Sequence, residues 1–290
     1  MKTLLELAEA MAKPSFKVPD TTVFIQCVGS RKPEHPYCSR VCCSAAVADA
    51  IRLKEARPEA NVFVLYRDIR TYGFQEKLYS RARELGIPFL RYTETRKPVV
   101  VAGKQGLTVT TYDPVLGAEL EIPTDLLVLS ARIDANHDNE TLSQAFKVPL
   151  TREKFFLEAH VKLRPVDFAT AGIFVAGMAH NPKTIEESIS QAQAAAARAA
   201  TIVSKELYQA EATIAAVNDD LCDGCGICVG ICEYNALESV ENPDGTKKVK
   251  LSEAACKGCG GCVAACPSGA MEQKGFKNEQ IMAEIDAALV

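Results

Sequence analysis

The sequence lacks long apolar segments. Across its 290 residues, no uncharged run approaches the roughly 20 residues that a membrane-spanning helix needs. The first apolar stretch carries Glu6 and Glu9, and a signal-peptide core tolerates such charges poorly. These absences predict a protein that has no membrane span and is located in the cytoplasm.

An excess of positive charge is missing as well. The chain has 33 Lys and Arg against 37 Asp and Glu, which gives a formal net charge of −4 at pH 7. Nucleic acids and anionic lipids attract basic patches, so the composition predicts no nucleic-acid partner. Hydrophobic residues make up 48% of the chain, which is enough to form the core of one large or two modest domains.

Strand and helix signals alternate in the first part of the chain. Such alternation is typical of a parallel sheet covered by helices. Residues 98–123 instead show short alternating runs separated by turn residues, which predict an antiparallel meander beside that sheet. Strands are predicted at residues 22–28, 61–66, 88–92 and 126–130, and helices at 4–11, 39–55 and 74–85.

The second part of the chain divides at a change in composition. Residues 173–177 predict a further strand, and residues 184–209 predict a long helix rich in Ala and Gln. Residues 132–170 are assigned only a connecting role. Near Asp219 the sequence becomes rich in Cys and Gly. We therefore predict a first domain at 1–212, a second at 213–275 and a C-terminal docking helix at 276–290.

The twelve cysteines are the strongest signal in the chain. In a reducing compartment, so many thiols indicate metal binding rather than disulfides. Eight of them form two copies of C-x2-C-x2-C-x3-C, in which three cysteines bind one 4Fe-4S cluster and the fourth binds the other. The predicted ligand sets are Cys222, Cys225, Cys228 and Cys266 for one cluster and Cys256, Cys259, Cys262 and Cys232 for the other.

The alternative for this region is a pair of structural zinc sites. Zinc ribbons separate their C-x2-C pairs by long spacers, which these runs lack. The region is therefore predicted to be a bacterial-type α+β ferredoxin domain with two 4Fe-4S clusters and a hairpin at residues 242–248. Glycines are expected to give its loops positive φ angles that aim N–H groups at cluster sulfurs, namely Gly224, Gly226, Gly258, Gly260 and Gly261.

Four cysteines remain, and four is the number that one more cubane requires. Cys27 ends a predicted strand, and Cys42 and Cys43 lie at the start of the next helix, so these three and Cys38 can converge at the strand-to-helix loop. In a dinucleotide-binding domain this loop cradles phosphate. The spacing is unusual, and the residues alone leave open a third cluster or a set of buried free thiols.

The segments around these four cysteines resemble a known family. Phe24-Ile-Gln-Cys-Val-Gly-Ser-Arg31, Pro36-Tyr-Cys-Ser-Arg-Val-Cys-Cys43 and Asp68-Ile-Arg-Thr-Tyr-Gly73 are similar to the A subunit of heterodisulfide reductase, as are residues 164–199. These motifs and the ferredoxin pattern follow in the family's order over essentially the whole chain. The resemblance implies a thioredoxin-reductase-like, Rossmann-type α/β domain before the ferredoxin domain. It also implies that Cys27, Cys38, Cys42 and Cys43 ligate a third 4Fe-4S cluster.

A flavin site is implied by the same resemblance. In thioredoxin-reductase-like flavoproteins, a strand and the N-terminus of the following helix present N–H groups to the edge of the flavin. Lys183 has two interpretations here, a positive charge beside the flavin or a solvated side chain. The candidate FAD-binding residues are Gly177, Met178, Ala179, Pro182, Lys183, Thr184 and Ile185.

The fingerprint for the ADP half of FAD is missing. No G-x-G-x-x-G follows any predicted strand. Compared with the family, the chain matches only the C-terminal half. This implies either a separate N-terminal-half A-type subunit that carries the fingerprint, which is the favoured interpretation, or a half-chain that binds no flavin.

The implied function is that of an oxidoreductase subunit that is not active alone. It relays electrons between ferredoxin and an FAD that it shares with the partner subunit, within the flavin-based electron bifurcation of an anaerobic heterodisulfide-reductase-like complex that has other subunits. The alternative is a passive, flavin-free 4Fe-4S relay between two redox partners. A third hypothesis is a metal-binding adaptor without redox function. The sequence predicts no catalytic nucleophile or acid–base pair.

Overall fold

The computed structural model describes residues 1–103, 106–207 and 213–289, which form two compact units. The first contains residues 1–139, 150–157 and 175–194, and the second contains 140–149, 158–174 and the chain from Ala195 onward. The strands are β1 (Lys2–Thr3), β2 (Thr21–Val28), β3 (Asn61–Tyr66), β4 (Phe89–Arg91), β5 (Val99–Gly103), β6 (Gly106–Asp113), β7 (Ala118–Thr124), β8 (Leu126–Ala131), β9 (Ala215–Val217), β10 (Leu237–Glu241), β11 (Lys247–Leu251) and β12 (Met271–Gln273). The α-helices are α1 (Leu4–Met11), α2 (Cys42–Ala56), α3 (Glu76–Glu84), α4 (Asn139–Phe146), α5 (Ile185–Val203), α6 (Ile227–Ile231), α7 (Gly261–Ala265) and α8 (Asn278–Ala288).

A five-stranded sheet in the order β1-β8-β2-β3-β4 forms the centre of the first unit. All of its strand pairs are parallel. In β2 the residues from Thr22 to Cys27 are buried, because helices or other strands cover both faces of a parallel sheet. The α/β fold predicted from the alternating pattern is therefore confirmed.

Helix α2 covers one face of this sheet. Val47 and Ala50 are fully buried, and Leu53 is 1% exposed. They pack in one hydrophobic cluster with Phe24 of β2. Because Cys42 is the first residue of α2, this packing fixes the start of the helix against the sheet.

The other face of the sheet packs against the predicted meander. Strands β5, β6 and β7 form a three-stranded antiparallel sheet. Val109 of β6 and Ile122 of β7 lie in one buried cluster with Val23 of β2. Val23 and Phe24 therefore point to opposite faces, as neighbouring residues of a strand do.

The second unit contains the cysteine-rich region as two small antiparallel pairs with two short helices. Strands β9 and β12 form one pair, and β10 and β11 form the other. Gly245, with a φ of +82°, lies in the turn of the predicted hairpin, which is confirmed. The buried side chains of Ala215, Leu237 and Met271 form a hydrophobic cluster with Cys228.

Residues 173–177 do not form the predicted strand. The structure has a single bridge between Asp167 and Phe174, and a 3₁₀ turn begins at Gly177, whose φ is +69°. A strand forms only where a neighbouring strand accepts and donates its backbone hydrogen bonds. Within the described residues this segment has only that one bridge, so its apolar sequence alone does not make it a strand.

Several helix boundaries also differ from the prediction. The helix predicted from residue 39 begins at Cys42, because Arg40 has a left-handed φ of +61°. The helix predicted at 184–209 ends at Val203, and residues 132–170 contain α4. Residues 208–212, where the predicted helix end and domain boundary fall, lie outside the described residues, so the division into 1–212, 213–275 and 276–290 stays a prediction. Of the helices that the structure describes, none combines the length and apolarity needed to cross a membrane.

We expect Leu53→Ala to lower the free energy of unfolding by about 2–5 kcal/mol, because it leaves a cavity between α2 and the sheet. Leu5→Ala is the matched control, since Leu5 is 71% exposed and its loss is expected to cost about 0.5 kcal/mol or less. Urea unfolding followed by far-UV circular dichroism measures both. Equal effects would contradict the assignment of α2 to the core.

Candidate metal centres

Cys27 lies in a β-bulge at the carboxyl end of β2. The pairing of β2 with β8 passes from Ile25 opposite Leu129 to Val28 opposite Ala131, so β2 contains one extra residue. Cys27 has a φ of +60°, a left-handed conformation that costs a non-glycine residue about 1–2 kcal/mol. Bulges change the direction of a side chain at the end of a strand, and this one sets the position of the thiol.

The other three cysteines of the N-terminal set lie in the following loop and in α2. Cys42 and Cys43 are 5% and 2% exposed, and the backbone N–H of Arg40 donates a hydrogen bond of 3.3 Å to the Sγ of Cys38. Besides burial, negative charge on Cys43 and Cys38 raises the pKa of Cys27. Besides its hydrogen bond with Cys43 and its burial, Cys42 has its pKa raised by negative charge on Cys38 and Cys27. The fold therefore brings together all four residues that the sequence predicted as one set.

Burial and proximity alter the acidity of these thiols. Burial raises the pKa of Cys27. The hydrogen bond with Cys43 and burial together raise the pKa of Cys42. The same hydrogen bond lowers the pKa of Cys43 to about 7. Four thiolates cannot remain ionised at such short range without compensating positive charge.

Arg31 supplies positive charge on one side of the set. Its Nη1 lies 3.9 Å from the Sγ of Cys27, and its Nη2 donates a 2.5 Å hydrogen bond to Asp68. This bond lowers the pKa of the Asp68 carboxyl. The thiol of Cys43 donates a weak hydrogen bond of 3.7 Å to the backbone carbonyl oxygen of Asp68, so Arg31 and Asp68 each contact one of the four cysteines.

This donor set fits a 4Fe-4S cluster. Four clustered cysteines, an N–H donor to one sulfur and a nearby guanidinium are the features that hold and stabilise such clusters. Among the described residues, no group of three or more His, Cys, Asp or Glu side chains is positioned to bind a single metal ion. A cubane has a different geometry, because each thiolate binds its own iron.

Several C-terminal cysteines also lie near the other members of their predicted ligand sets. One cavity of the second unit is lined by Cys232, Cys256, Cys259 and Cys262, the set predicted for the second cluster. Burial and negative charge on Cys225 and Cys266 raise the pKa of Cys228, as expected for neighbours in the set predicted for the other ferredoxin cluster. Backbone N–H groups of Ala236 and Ala215 donate hydrogen bonds to Cys232 and Cys256, at 3.2 and 3.4 Å.

Glycine is required at two positions beside these cysteines. A Cβ atom at Gly224 would lie 2.0 Å from the carbonyl oxygen of Lys247, and one at Gly258 would lie 1.9 Å from that of Thr213. Both glycines also have positive φ angles. The backbone at Lys247 and Thr213 thus lies too close to these two glycines for any side chain to fit.

One detail of the predicted loop chemistry is wrong. Gly261 does not have a positive φ among the described residues, because it is the first residue of helix α7. Cys228 and Cys262 lie in the short helices α6 and α7 rather than in loops. The left-handed residues that start these helices are Gly226 and Gly260.

The candidate flavin segment surrounds a buried lysine. Lys183 is only 7% exposed, which excludes the interpretation as a solvated side chain. Its Nζ lies 2.9 Å from the Nδ1 of His180 and donates a 2.8 Å hydrogen bond to the Oε1 of Gln191. The same oxygen accepts the N–H of Gly177, so Gln191 joins the turn at Gly177 to the lysine.

A capping box begins helix α5 directly after this lysine. Thr184 Oγ1 accepts the N–H of Glu187, and Glu187 Oε2 accepts the N–H of Thr184. The pattern Thr184-Ile-Glu-Glu187 is a sequence signature of this motif, and it would have revealed the role of Glu187, which the sequence analysis missed. Of the other candidate residues, Pro182 is buried, whereas Met178, Ala179 and Ile185 are exposed.

This segment fits the edge of a flavin only in part. It presents a buried cation at the start of a helix, which suits an electron-rich ring edge. The cap already uses the N–H groups of Thr184 and Glu187, so neither points freely at a ligand. The sequence contributes no phosphate-binding fingerprint.

The chain is similar to several known proteins. The 4Fe-4S dicluster domain family matches residues 221–270, so the predicted dicluster domain is confirmed. The A subunit of the H(2):CoB-CoM heterodisulfide,ferredoxin reductase of Methanothermobacter marburgensis is 43% identical over 277 residues, which cover 93% of this chain and 41% of that protein. This chain is homologous to the A subunit of heterodisulfide reductase.

Other A subunits match in the same way. The iron-sulfur A subunit of the CoB--CoM heterodisulfide reductase of Methanocaldococcus jannaschii is 39% identical over 280 residues, covering 94% of this chain and 42% of that protein. The chain thus spans about two fifths of the length of these relatives. Among solved structures, thioredoxin reductase of Lactococcus lactis has a TM-score of 0.42 and 16% identity, covering 66% of this chain and 54% of that one.

We expect Gly258→Ala to lower the iron content by about four atoms per chain, because one cluster carries four irons and the new Cβ would collide with Thr213. Gly245→Ala is the matched control, since Gly245 also has a positive φ but its Cβ would meet nothing within 4 Å. Iron and acid-labile sulfide are counted after anaerobic purification. Full iron content in Gly258→Ala would contradict a close approach of the chain at that cluster.

Proposed function

We propose that this chain is an iron–sulfur electron-transfer subunit of a heterodisulfide-reductase-like oxidoreductase complex, located in the cytoplasm and inactive alone. It relays electrons between ferredoxin and an FAD shared with a partner subunit, in the course of flavin-based electron bifurcation. The clustering of Cys27, Cys38, Cys42 and Cys43 beside an α/β sheet is the observation that carries the proposal. It supports a third 4Fe-4S centre in addition to the two of the ferredoxin domain.

Each centre would supply one-electron storage, and the chain supplies the ligands and the charges around them. The proposed ligands are the four N-terminal cysteines and the two ferredoxin sets given above. Arg31 and the N–H of Arg40 stabilise negative charge on the N-terminal cysteines. Because hydrogen bonds to cluster sulfurs raise the reduction potential, these groups tune the direction of electron flow.

The names of the relatives favour ferredoxin as a partner. The Methanothermobacter marburgensis protein is described as the A subunit of a heterodisulfide,ferredoxin reductase. The further activity of the complex is proposed to come from other subunits. One of them would be the N-terminal-half A-type subunit, which carries the ADP-binding fingerprint that this sequence lacks.

Helix α5 supports a site for that partner. None of its 19 residues is buried, although a soluble helix normally buries one apolar stripe. Ile185, Ile189 and Val203 are 76%, 53% and 81% exposed. The helix follows the candidate FAD residues and the strand-like segment 173–177, so the half that completes the flavin site is the occupant that fits this face best. The buried Lys183 and the turn at Gly177 would then contact the flavin edge.

A passive relay without flavin is the second candidate. The missing fingerprint favours it, and the buried position of Lys183 in the flavin segment opposes it. The two functions differ in one measurable property, which is the flavin content of the complex formed with the N-terminal-half subunit.

We expect the purified chain to contain about twelve irons and twelve sulfides, and Cys38→Ser/Cys42→Ser to contain about eight of each. The double substitution removes two ligands of the N-terminal set and leaves the ferredoxin sets intact. Cys222→Ser/Cys225→Ser is the matched variant, which should lose iron from the ferredoxin domain instead. About eight irons in the unaltered chain would contradict the proposed third cluster.

We expect Ile189→Glu to weaken binding to the N-terminal-half A-type subunit of the same organism by tenfold or more, which is about 1.4 kcal/mol, because it places a charge on the exposed stripe of α5. Val115→Glu is the control, since Val115 is 91% exposed and lies in the turn between β6 and β7. Co-purification with the partner and absorbance of bound flavin measure the effect. Flavin in neither the complex nor the isolated chain would favour the passive relay.

A further inference from the structure

Arg40 joins the N-terminal cysteines to the start of helix α5. It lies between Cys38 and Cys42 in the sequence and has a left-handed φ of +61°. Its backbone N–H donates a 3.3 Å hydrogen bond to the Sγ of Cys38. The backbone of Arg40 is therefore fixed at one end by a predicted cluster ligand.

The side chain of Arg40 reaches three distant acceptors. Its Nη1 donates to the carbonyl oxygen of Pro182 at 3.2 Å, and its Nη2 donates to the hydroxyl of Tyr72 at 2.9 Å and to Glu187 Oε1 at 2.5 Å. The guanidinium carbon also lies 5.9 Å from the centre of the Tyr72 ring. A planar guanidinium with several fixed donors suits such an arrangement, whereas a lysine ammonium does not reproduce it.

Glu187 extends this contact into the helix. One oxygen of its carboxylate accepts from Arg40, and the other accepts the backbone N–H of Thr184 in the capping box. Although burial acts in the opposite direction, these two donors lower the pKa of Glu187. A single carboxylate thus connects the cysteine loop with the first turn of α5.

We propose that Arg40 is a positioning residue that couples occupancy of the four-cysteine site to the order of residues 182–187. The inference rests on the proposed third cluster. When Cys38 is a ligand, its sulfur holds the N–H of Arg40, and the guanidinium is directed at Pro182 and Glu187. When the site is empty, the left-handed backbone of Arg40 relaxes, since that conformation is unfavourable for a non-glycine residue. The segment then loses its fixed contacts.

The coupling has a functional consequence for the candidate flavin site. Residues 182–187 include Pro182, Lys183, Thr184 and Ile185, which are candidate FAD contacts. Assembly of the cluster would therefore organise the flavin edge before the partner subunit binds. Coupling is reciprocal, so an ordered helix start also helps the loop retain its iron.

Hydrogen–deuterium exchange on the full anaerobic chain tests the first half of the proposal. We expect amides of residues 183–188 to exchange about tenfold faster in Cys38→Ser/Cys42→Ser than in the unaltered chain, because hydrogen bonds to charged groups are lost. In Arg40→Lys, exchange should already be fast with the cluster present. Arg52→Lys is the control, since Arg52 is an exposed residue of α2 that pairs with Asp49 of the same helix. Exchange in Arg40→Lys equal to that in the control overturns the proposal.

The reciprocal half is tested by iron release. Glu187→Gln keeps an oxygen that can cap the helix but weakens the bond to Arg40. We expect the N-terminal site of this variant to lose iron to a chelator several times faster, while the ferredoxin domain releases iron at an unchanged rate. Equal release from the N-terminal site of the variant and the unaltered chain contradicts reciprocal coupling. An unaltered chain with only about eight irons shows instead that the third cluster is wrong, so the two failures are distinguishable.

Discussion

The mutual repulsion of closely spaced thiolates is the constraint on which the rest of this structure depends. Cysteines bind a cluster as anions, yet burial raises the pKa of Cys27 and Cys228, and each nearby sulfur adds to that effect. Backbone N–H groups donate hydrogen bonds to individual sulfurs and offset part of this charge, as at Cys38, Cys232 and Cys256. The N-terminal set adds the guanidinium of Arg31. At each proposed site these groups would offset part of the thiolate charge, and bound iron would offset the rest.

The two kinds of site reach this arrangement through different backbone chemistry. The ferredoxin loops use glycines in left-handed conformations, and the close approach at Gly224 and Gly258 leaves no room for a side chain. The N-terminal loop has one left-handed glycine, Gly29, and also holds Cys27, Arg31 and Arg40 in left-handed conformations. Strain at such positions persists only where surrounding contacts outweigh it. Here the side chains provide those contacts themselves, since both arginines form ion pairs.

The region after the parallel sheet combines uncovered apolar residues with a buried lysine. Residues 173–177 have a strand-like sequence but form a single bridge within the described chain, and α5 buries none of its residues. At the same place Lys183 is buried against His180 and Gln191. A prepared polar centre beside uncovered apolar elements is consistent with the proposed partner, because burial of those elements would provide the binding energy.

The sequence by itself determined the features that depend on short-range spacing. The repeated cysteine runs predicted the dicluster domain, and alternating apolar segments predicted the parallel sheet and its meander, because local periodicity decides which face of an element is buried. Spacing did not predict the bulge at Cys27, the short helices at Cys228 and Cys262, or the loss of the strand at 173–177. Only the tertiary structure decided that Arg40 meets Glu187, 147 residues away. Such contacts depend on how distant elements pack, and no local pattern encodes them.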